Sequence, residues 1–150
     1  MFINGEMVDA MGGKTMQVID PGTGQAFAEV PLGDERDVDA AVRAAREAFE
    51  SGVWSGLTPQ QRAEIMIGFA DLVEAHTGQI AMADSRSNGG TVSWIGGGLW
   101  AAANTVRNLP AYAANKFAWE EEIAVSGSVY AFGEHRVRRE PIGVCAAIAP

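Results

Sequence analysis

Hydrophobic positions near the start of the chain come in short runs broken by turn residues. Phe2-Ile3-Asn4-Gly5-Glu6-Met7-Val8 sets Asn-Gly between two apolar runs. Asn-Gly tolerates the positive φ angles of a two-residue turn, so the segment predicts a β-hairpin. Residues 15–19 and 25–30 form a second pair, joined by Asp20-Pro21-Gly22-Thr23-Gly24. Proline fixes one turn position there and glycine frees the next.

The period then lengthens. Asp34 can cap a helix, with Glu35 and Asp37 complementing the dipole in its first turn. Val38, Ala41, Val42, Ala45 and Phe49 recur at helical spacing, with charged residues elsewhere on the wheel and Gly52 as a stop. Thr58-Pro59-Gln60-Gln61 starts a second helix: hydroxyl cap, proline at the first position, glutamine three residues after the cap. Ile65, Met66, Phe69, Leu72 and Val73 are its predicted buried face, and it should end near residues 76–78. A shorter helix over 79–86 runs into Asn88-Gly89-Gly90, a break. From Val92 to about Lys116 the chain reads as helical, against Gly96-Gly97-Gly98 and Pro110. Each internal glycine costs roughly 1 kcal/mol relative to alanine.

Period two returns in the tail. Ile123 and Val125 precede Ser126-Gly127, and residues 129–139 alternate loosely as a long polar strand. Ile142-Gly143-Val144-Cys145-Ala146-Ala147-Ile148-Ala149 is nearly all apolar, as in a strand covered on both faces of a parallel sheet. Parallel partners need crossover helices, and none follows Pro150, so the strand is expected to belong to a larger sheet.

Composition narrows the function classes. With 150 residues, 47% of them apolar, the chain can bury a core as one domain or part of a larger one. Eleven basic against nineteen acidic side chains leave a net charge of −8, which disfavours nucleic acid and anionic membrane as partners. One cysteine, Cys145, permits no internal disulfide, and no leader or bilayer-length apolar run is evident. A cytoplasmic protein is the expectation. Glu120-Glu121-Glu122 is too short to be an acidic tail, and no repeat or low-complexity segment is present.

Several stretches, in order, resemble the N-terminal third of the aldehyde dehydrogenase superfamily: Phe2-Ile3-Asn4-Gly5-Glu6, Asp20-Pro21-Gly22-Thr23-Gly24 and Ala28-Glu29-Val30-Pro31-Leu32-Gly33. The helix from Val38 to Phe49, then Trp54-Ser55, then Arg139-Glu140-Pro141-Ile142-Gly143-Val144 continue the match. Each piece is weak alone, and the ordered set is specific. The resemblance implies an α/β fold: the N-terminal part of a Rossmann-like cofactor domain (residues 1–122), an oligomerisation β-arm (123–141) and the first strand of the Rossmann-like sheet (142–150). It also implies oxidation of an aldehyde to a carboxylic acid with NAD or NADP. A cysteine thiolate, a glutamate-activated water and an asparagine oxyanion donor would act, all in motifs that lie outside these residues. The chain by itself is therefore expected to be inert. A homodimer or homotetramer built through the arm would follow, with a small aldehyde as substrate.

The same resemblance places three groups of site residues. Ile148, Ala149 and Pro150 match positions that contact the dinucleotide at the carboxyl end of a sheet strand, where such folds bind ligands. Trp100, Ala101 and Asn104 fall on the helix that lends side chains to the aldehyde tunnel. Val18 and Ile19 match positions whose backbone carbonyls help hold a monovalent cation. Here the sequence departs from the family: an Asp-Asn-Gly-Lys-Pro-like motif is replaced by Ser87-Asn88-Gly89-Gly90-Thr91. A hydroxyl is a poorer ligand for a hard cation than a carboxylate, which puts that site in doubt.

Plainer readings cover the other candidates. Cys145, in an apolar run without a base or cation beside it, reads as a core thiol. Gly96-Gly97-Gly98 has neither a preceding strand nor a following Lys-Ser/Thr to make a phosphate cradle. His76 and His135 lack metal-ligand partners at useful spacing. Arg136, Arg138 and Arg139 suit intersubunit pairing or solvation. The alternative to an enzyme is a non-catalytic oligomerisation or interaction module of the same family.

Overall fold

The computed structural model describes residues 1–123 and 135–148. It begins with two antiparallel hairpins, β1 (Phe2–Ile3) with β2 (Glu6–Met7) and β3 (Thr15–Asp20) with β4 (Gln25–Pro31). Asn4 and Gly5 take φ angles of 53° and 83°, the left-handed pair that the Asn-Gly turn requires. Four helices follow: α1 (Glu35–Glu50), α2 (Pro59–Ala75), α3 (Thr77–Asn88) and α4 (Val92–Asn115). A last antiparallel ladder pairs β5 (Glu120–Ile123) with β6 (His135–Arg138).

Local chemistry sets these boundaries. Asp34 accepts the N–H of Arg36 at 2.9 Å while Asp37 accepts the N–H of Asp34 at 2.9 Å, a reciprocal cap for α1. Thr58 and Gln61 make the equivalent exchange at α2, with Pro59 at its first position. Gly89, at φ 82°, closes α3 in the left-handed conformation. The three glycines of α4 leave it unbroken, and Pro110 lies within it.

Packing centres on α2 against α4, with α3 beside α4 and resting on β3. Among the described residues the buried apolar ones are all alanines: Ala10, Ala63, Ala70, Ala81 and Ala103. Small side chains let the helix backbones approach closely. Arg107 of α4 then clasps α2 at the rim, 2.6 Å from Asp71 and 2.8 Å from Glu74. Those two hydrogen bonds raise the guanidinium pKa above its ordinary value, so it stays cationic.

Burial departs from the expected faces. Ile65, Phe69 and Leu72 are exposed, and α2 instead turns Ala63 and Ala70 inward. Val38 and Val42 of α1 are also exposed, whereas Asp37 is buried. Phe49 of α1 and Met66 and Val73 of α2 are half-buried, so each apolar stripe is covered only in part by the described segments.

The β5–β6 ladder also differs from expectation. Glu120-Glu121-Glu122 is a strand, and the arginines opposite it pair within the chain. Arg138 lies 3.4 Å from Glu120, Arg136 lies 3.5 Å from Glu122 and Arg139 lies 2.6 Å from Glu121. Intersubunit pairing is therefore not needed to explain these arginines. Val125, Ser126, Gly127 and the start of the expected 129–139 strand lie outside the described residues.

Residues 139–148 run as coil rather than as the expected strand. A strand exists by pairing, and no described segment pairs with this one. Ile142 and Ile148 are 92% and 97% exposed. Cys145, expected in a core, is exposed as well, because no layer among the described residues covers it. Gly143 adopts φ 111° and passes close to Arg46 of α1, whose guanidinium would lie 3.7 Å from any Cβ placed there.

Candidate functional site

The first half of α4 presents a concave surface. Gly97 and Gly98 have open space where a Cβ would stand, so the helix shows bare backbone beside the exposed Trp94. A cavity of about 490 Å³ lies there, between Asp84 and Asn88 of α3 and Trp94, Ile95 and Leu99 of α4. One turn further on, Trp100 is 62% exposed. Helical spacing puts Asn104 four residues from Trp100 and three from Ala101, so the structure brings these three residues onto one patch. The Asn104 amide donates to the Trp100 carbonyl at 2.9 Å and is held against its own helix, leaving the amide oxygen as an acceptor.

This surface can shape an apolar ligand, but it carries no reactive pair. Cys145 makes one contact, its thiol to the Gly143 carbonyl at 3.8 Å, with no base or cation hydrogen-bonded to it. His76 pairs with Gln79 at 3.1 Å at the α2–α3 corner, and His135 lies in the β5–β6 ladder opposite Ile123. A thiolate nucleophile needs a neighbouring base or positive field, and nothing described supplies one to Cys145.

The position matched to dinucleotide contact is only partly described. Ile148 offers an exposed apolar wall, while Ala149 and Pro150 lie outside the described residues. No phosphate cradle accompanies Ile148 among the described residues, so they do not by themselves make a dinucleotide site.

The cation position fits poorly. Val18 and Ile19 straddle a register irregularity in the β3–β4 ladder, the kind of bulge that re-aims backbone groups. Across from β3, the Ser87 hydroxyl donates to the Ala83 carbonyl at 2.8 Å. Asn88 donates to Asp84 at 2.8 Å and accepts from the Gly90 N–H at 2.7 Å. Among the described residues no cluster of three His, Cys, Asp or Glu side chains could hold a metal ion. A cation present at the joint is the Arg86 guanidinium, 3.6 Å from the Asp20 carboxylate. The pattern along the chain did not single out this pair. Its only signal was an acidic residue ending a strand and a basic one in the last turn of a helix.

A second cavity, of about 290 Å³, opens beside the β5–β6 ladder between Trp54, Arg62, Trp119 and Pro141. The Arg62 guanidinium stands 5.4 Å from the Trp119 ring centre and donates to the Leu57 carbonyl at 2.9 Å. Periodicity gave no hint of it, since its walls come from segments far apart in the chain.

The pattern that defines the aldehyde dehydrogenase family matches residues 7–150. The chain belongs to this family. It is similar along its whole length to aldehyde dehydrogenase family 2 member C4 of Arabidopsis thaliana, 38% identical over 152 residues and spanning 29% of that protein. It is also similar to the cytosolic 10-formyltetrahydrofolate dehydrogenase of Xenopus tropicalis, 35% identical over 158 residues, covering all of this chain and 16% of the relative. Among solved structures, an indole-3-acetaldehyde dehydrogenase in its apo form aligns with a TM-score of 0.77 and 34% identity, over 83% of this chain and 28% of the other. A betaine aldehyde dehydrogenase from Staphylococcus aureus, in complex with NAD+, aligns with a TM-score of 0.76 and 26% identity over 83% of this chain and 25% of that one. This aldehyde dehydrogenase chain thus spans less than a third of the length of these relatives. Its fold is the N-terminal part of theirs. No helix among its described residues is long and apolar enough to cross a membrane.

Proposed function

We propose that the chain serves as the N-terminal part of an NAD(P)-dependent aldehyde dehydrogenase that oxidises an aldehyde to a carboxylic acid. The observation that carries this is the match to the family over residues 7–150, in an order and fold shared with its solved members. Structures of similar enzymes contain NAD+, which supports a nicotinamide oxidant. When bound, the nicotinamide would supply the hydride acceptor. Trp100, Ala101 and Asn104 would form a wall of the aldehyde path, and Ile148, Ala149 and Pro150 would border the dinucleotide. Cys145 is assigned no catalytic part, and the thiolate and its helpers belong to other segments of the enzyme. The arm would join subunits into a homodimer or homotetramer. The cytosol is the proposed compartment, in keeping with a cytosolic relative, although other relatives are mitochondrial.

The test compares the full-length protein with residues 1–150 alone, using a panel of aldehydes with NAD+ or NADP+ and following the reduced nicotinamide. Turnover by the full-length protein and none by residues 1–150 is the expected result. Turnover by residues 1–150 would show that the chemistry is misplaced here. A full-length protein inert toward every aldehyde, with either cofactor, would leave the interaction module as the better reading.

A further inference from the structure

Two negative features meet where α3 docks on the β3–β4 turn. One is Asp20, whose side chain is only 17% exposed. Its carboxylate accepts the N–H of Gly22 at 2.8 Å, and its carbonyl accepts that of Gly24 at 2.7 Å, so it is fixed in the turn. The other is the C-terminal end of α3, where unsatisfied carbonyls concentrate partial negative charge. That end sits directly on the turn: a Cβ at Gly89 would meet the Pro21 ring at 3.0 Å. A half-buried carboxylate beside a helix C-terminus needs a counter-charge.

We propose that Arg86 is the resident cation of this joint, and that its guanidinium takes the place of a bound monovalent metal ion. Its Nε lies 3.6 Å from the Asp20 carboxylate. Its Cζ stands 4.1 Å from the centre of the Phe27 ring on β4, within cation–π range. Arg86 lies in the last turn of α3, where the helix dipole favours positive charge. One side chain therefore answers the carboxylate and the helix end, and rests on the Phe27 ring. The neighbouring oxygen donors are weak by comparison. Ser87 is uncharged and bonded to Ala83, Asn88 is bonded to Asp84 and Gly90, and Asp84 is the acceptor for Asn88. A guanidinium is also a poor neighbour for a second cation, because like charges this close repel.

The inference does not depend on the oxidoreductase reading, and its test uses no activity. The full-length protein is melted in potassium, sodium or N-methylglucamine chloride at equal ionic strength. The expected result is one melting temperature in all three salts. A specific rise in potassium or sodium over the organic cation would overturn the proposal. Arg86→Gln and Asp20→Asn should each lower melting by a few degrees, and the double variant by no more than the larger single change. Additive losses would also overturn it, since they would mean that the two residues do not act as a pair. Arg86→Lys keeps the charge but loses the planar stack, and should fall between wild type and Arg86→Gln.

Discussion

The Asp37 carboxylate joins α1 to the chain 26 residues before it, accepting the backbone N–H of Met11 at 3.0 Å through Oδ1. Its Oδ2 accepts the N–H of Asp34 at 2.9 Å, and the residue is 3% exposed. A residue that would ordinarily tune a helix dipole is here the acceptor for two otherwise unpaired amides. Replacing Asp37 by alanine strands both donors, and such losses cost about 1–3 kcal/mol for each buried group left unsatisfied. Asp37→Ala should therefore destabilise the protein by about 2 kcal/mol or more. Urea unfolding of the variant checks this, and an unchanged midpoint would mean that water reaches both amides.

Asp34 gives the fold a dependence on acid. Its pKa lies below the ordinary aspartate value, chiefly because the Arg36 side chain hydrogen-bonds it (Nη2 at 2.6 Å), with help from the Arg36 backbone N–H. A depressed folded value means that the unfolded chain binds its proton first as pH falls. The contribution to stability is thus full above the unfolded pKa, near pH ~4, and is lost as pH falls through the lower folded value. Asp34→Asn keeps a capping oxygen but cannot titrate. Its stability should therefore fall less steeply than that of wild type below about pH 4. Parallel denaturant titrations across that range measure the difference, and superimposable slopes would refute the assignment.

Element positions were legible because their ends carry short-range chemistry: Asp34 and Thr58 cap, Asn4-Gly5 turns and Gly89 stops. Burial was less so. Periodicity marks which face of a helix is apolar but not what lies against it: of the face of α2 expected to be buried, Met66 and Val73 are half-buried while Ile65, Phe69 and Leu72 are exposed. The strand at Glu120–Ile123 has no apolar alternation to announce it. Only arginines at the matching spacing, on a segment not yet paired, hinted at the ladder. At the candidate site, Trp100, Ala101 and Asn104 came from the resemblance to the family and not from periodicity, which marks only that they share a helix. The cation position could not be judged from β3, because Arg86 arrives from a helix far along the chain.

The alanine seam between α2 and α4 sets a second limit on the core. Ala70 is 0% exposed and Ala103 2% exposed, so neither site has room for a larger side chain. Ala70→Leu should cost about 1–3 kcal/mol through overpacking, and α2 would have to move away from α4 to admit it. Thermal melting reports the loss. A variant as stable as wild type would mean that the helices can separate freely, and that the Arg107 clasp with Asp71 and Glu74, not the alanine seam, fixes their spacing.

Cys145 reports on the coil of residues 139–148. Among the described residues it is exposed, although its neighbours Val144, Ala146, Ala147 and Ile148 have the composition of a strand buried on both faces. Those two facts are reconciled if other segments of the full-length protein pair with this run and cover it, as parallel sheets require. A thiol reagent should then label Cys145 in residues 1–150 at nearly the rate seen in denaturant. In the full-length protein a variant with Cys145 as its sole cysteine should be protected by ~100-fold or more, since a central strand opens only by near-global unfolding. Equal labelling in the two forms would mean that the run stays uncovered, and it would remove the strand on which the placement of Ile148 beside the dinucleotide depends.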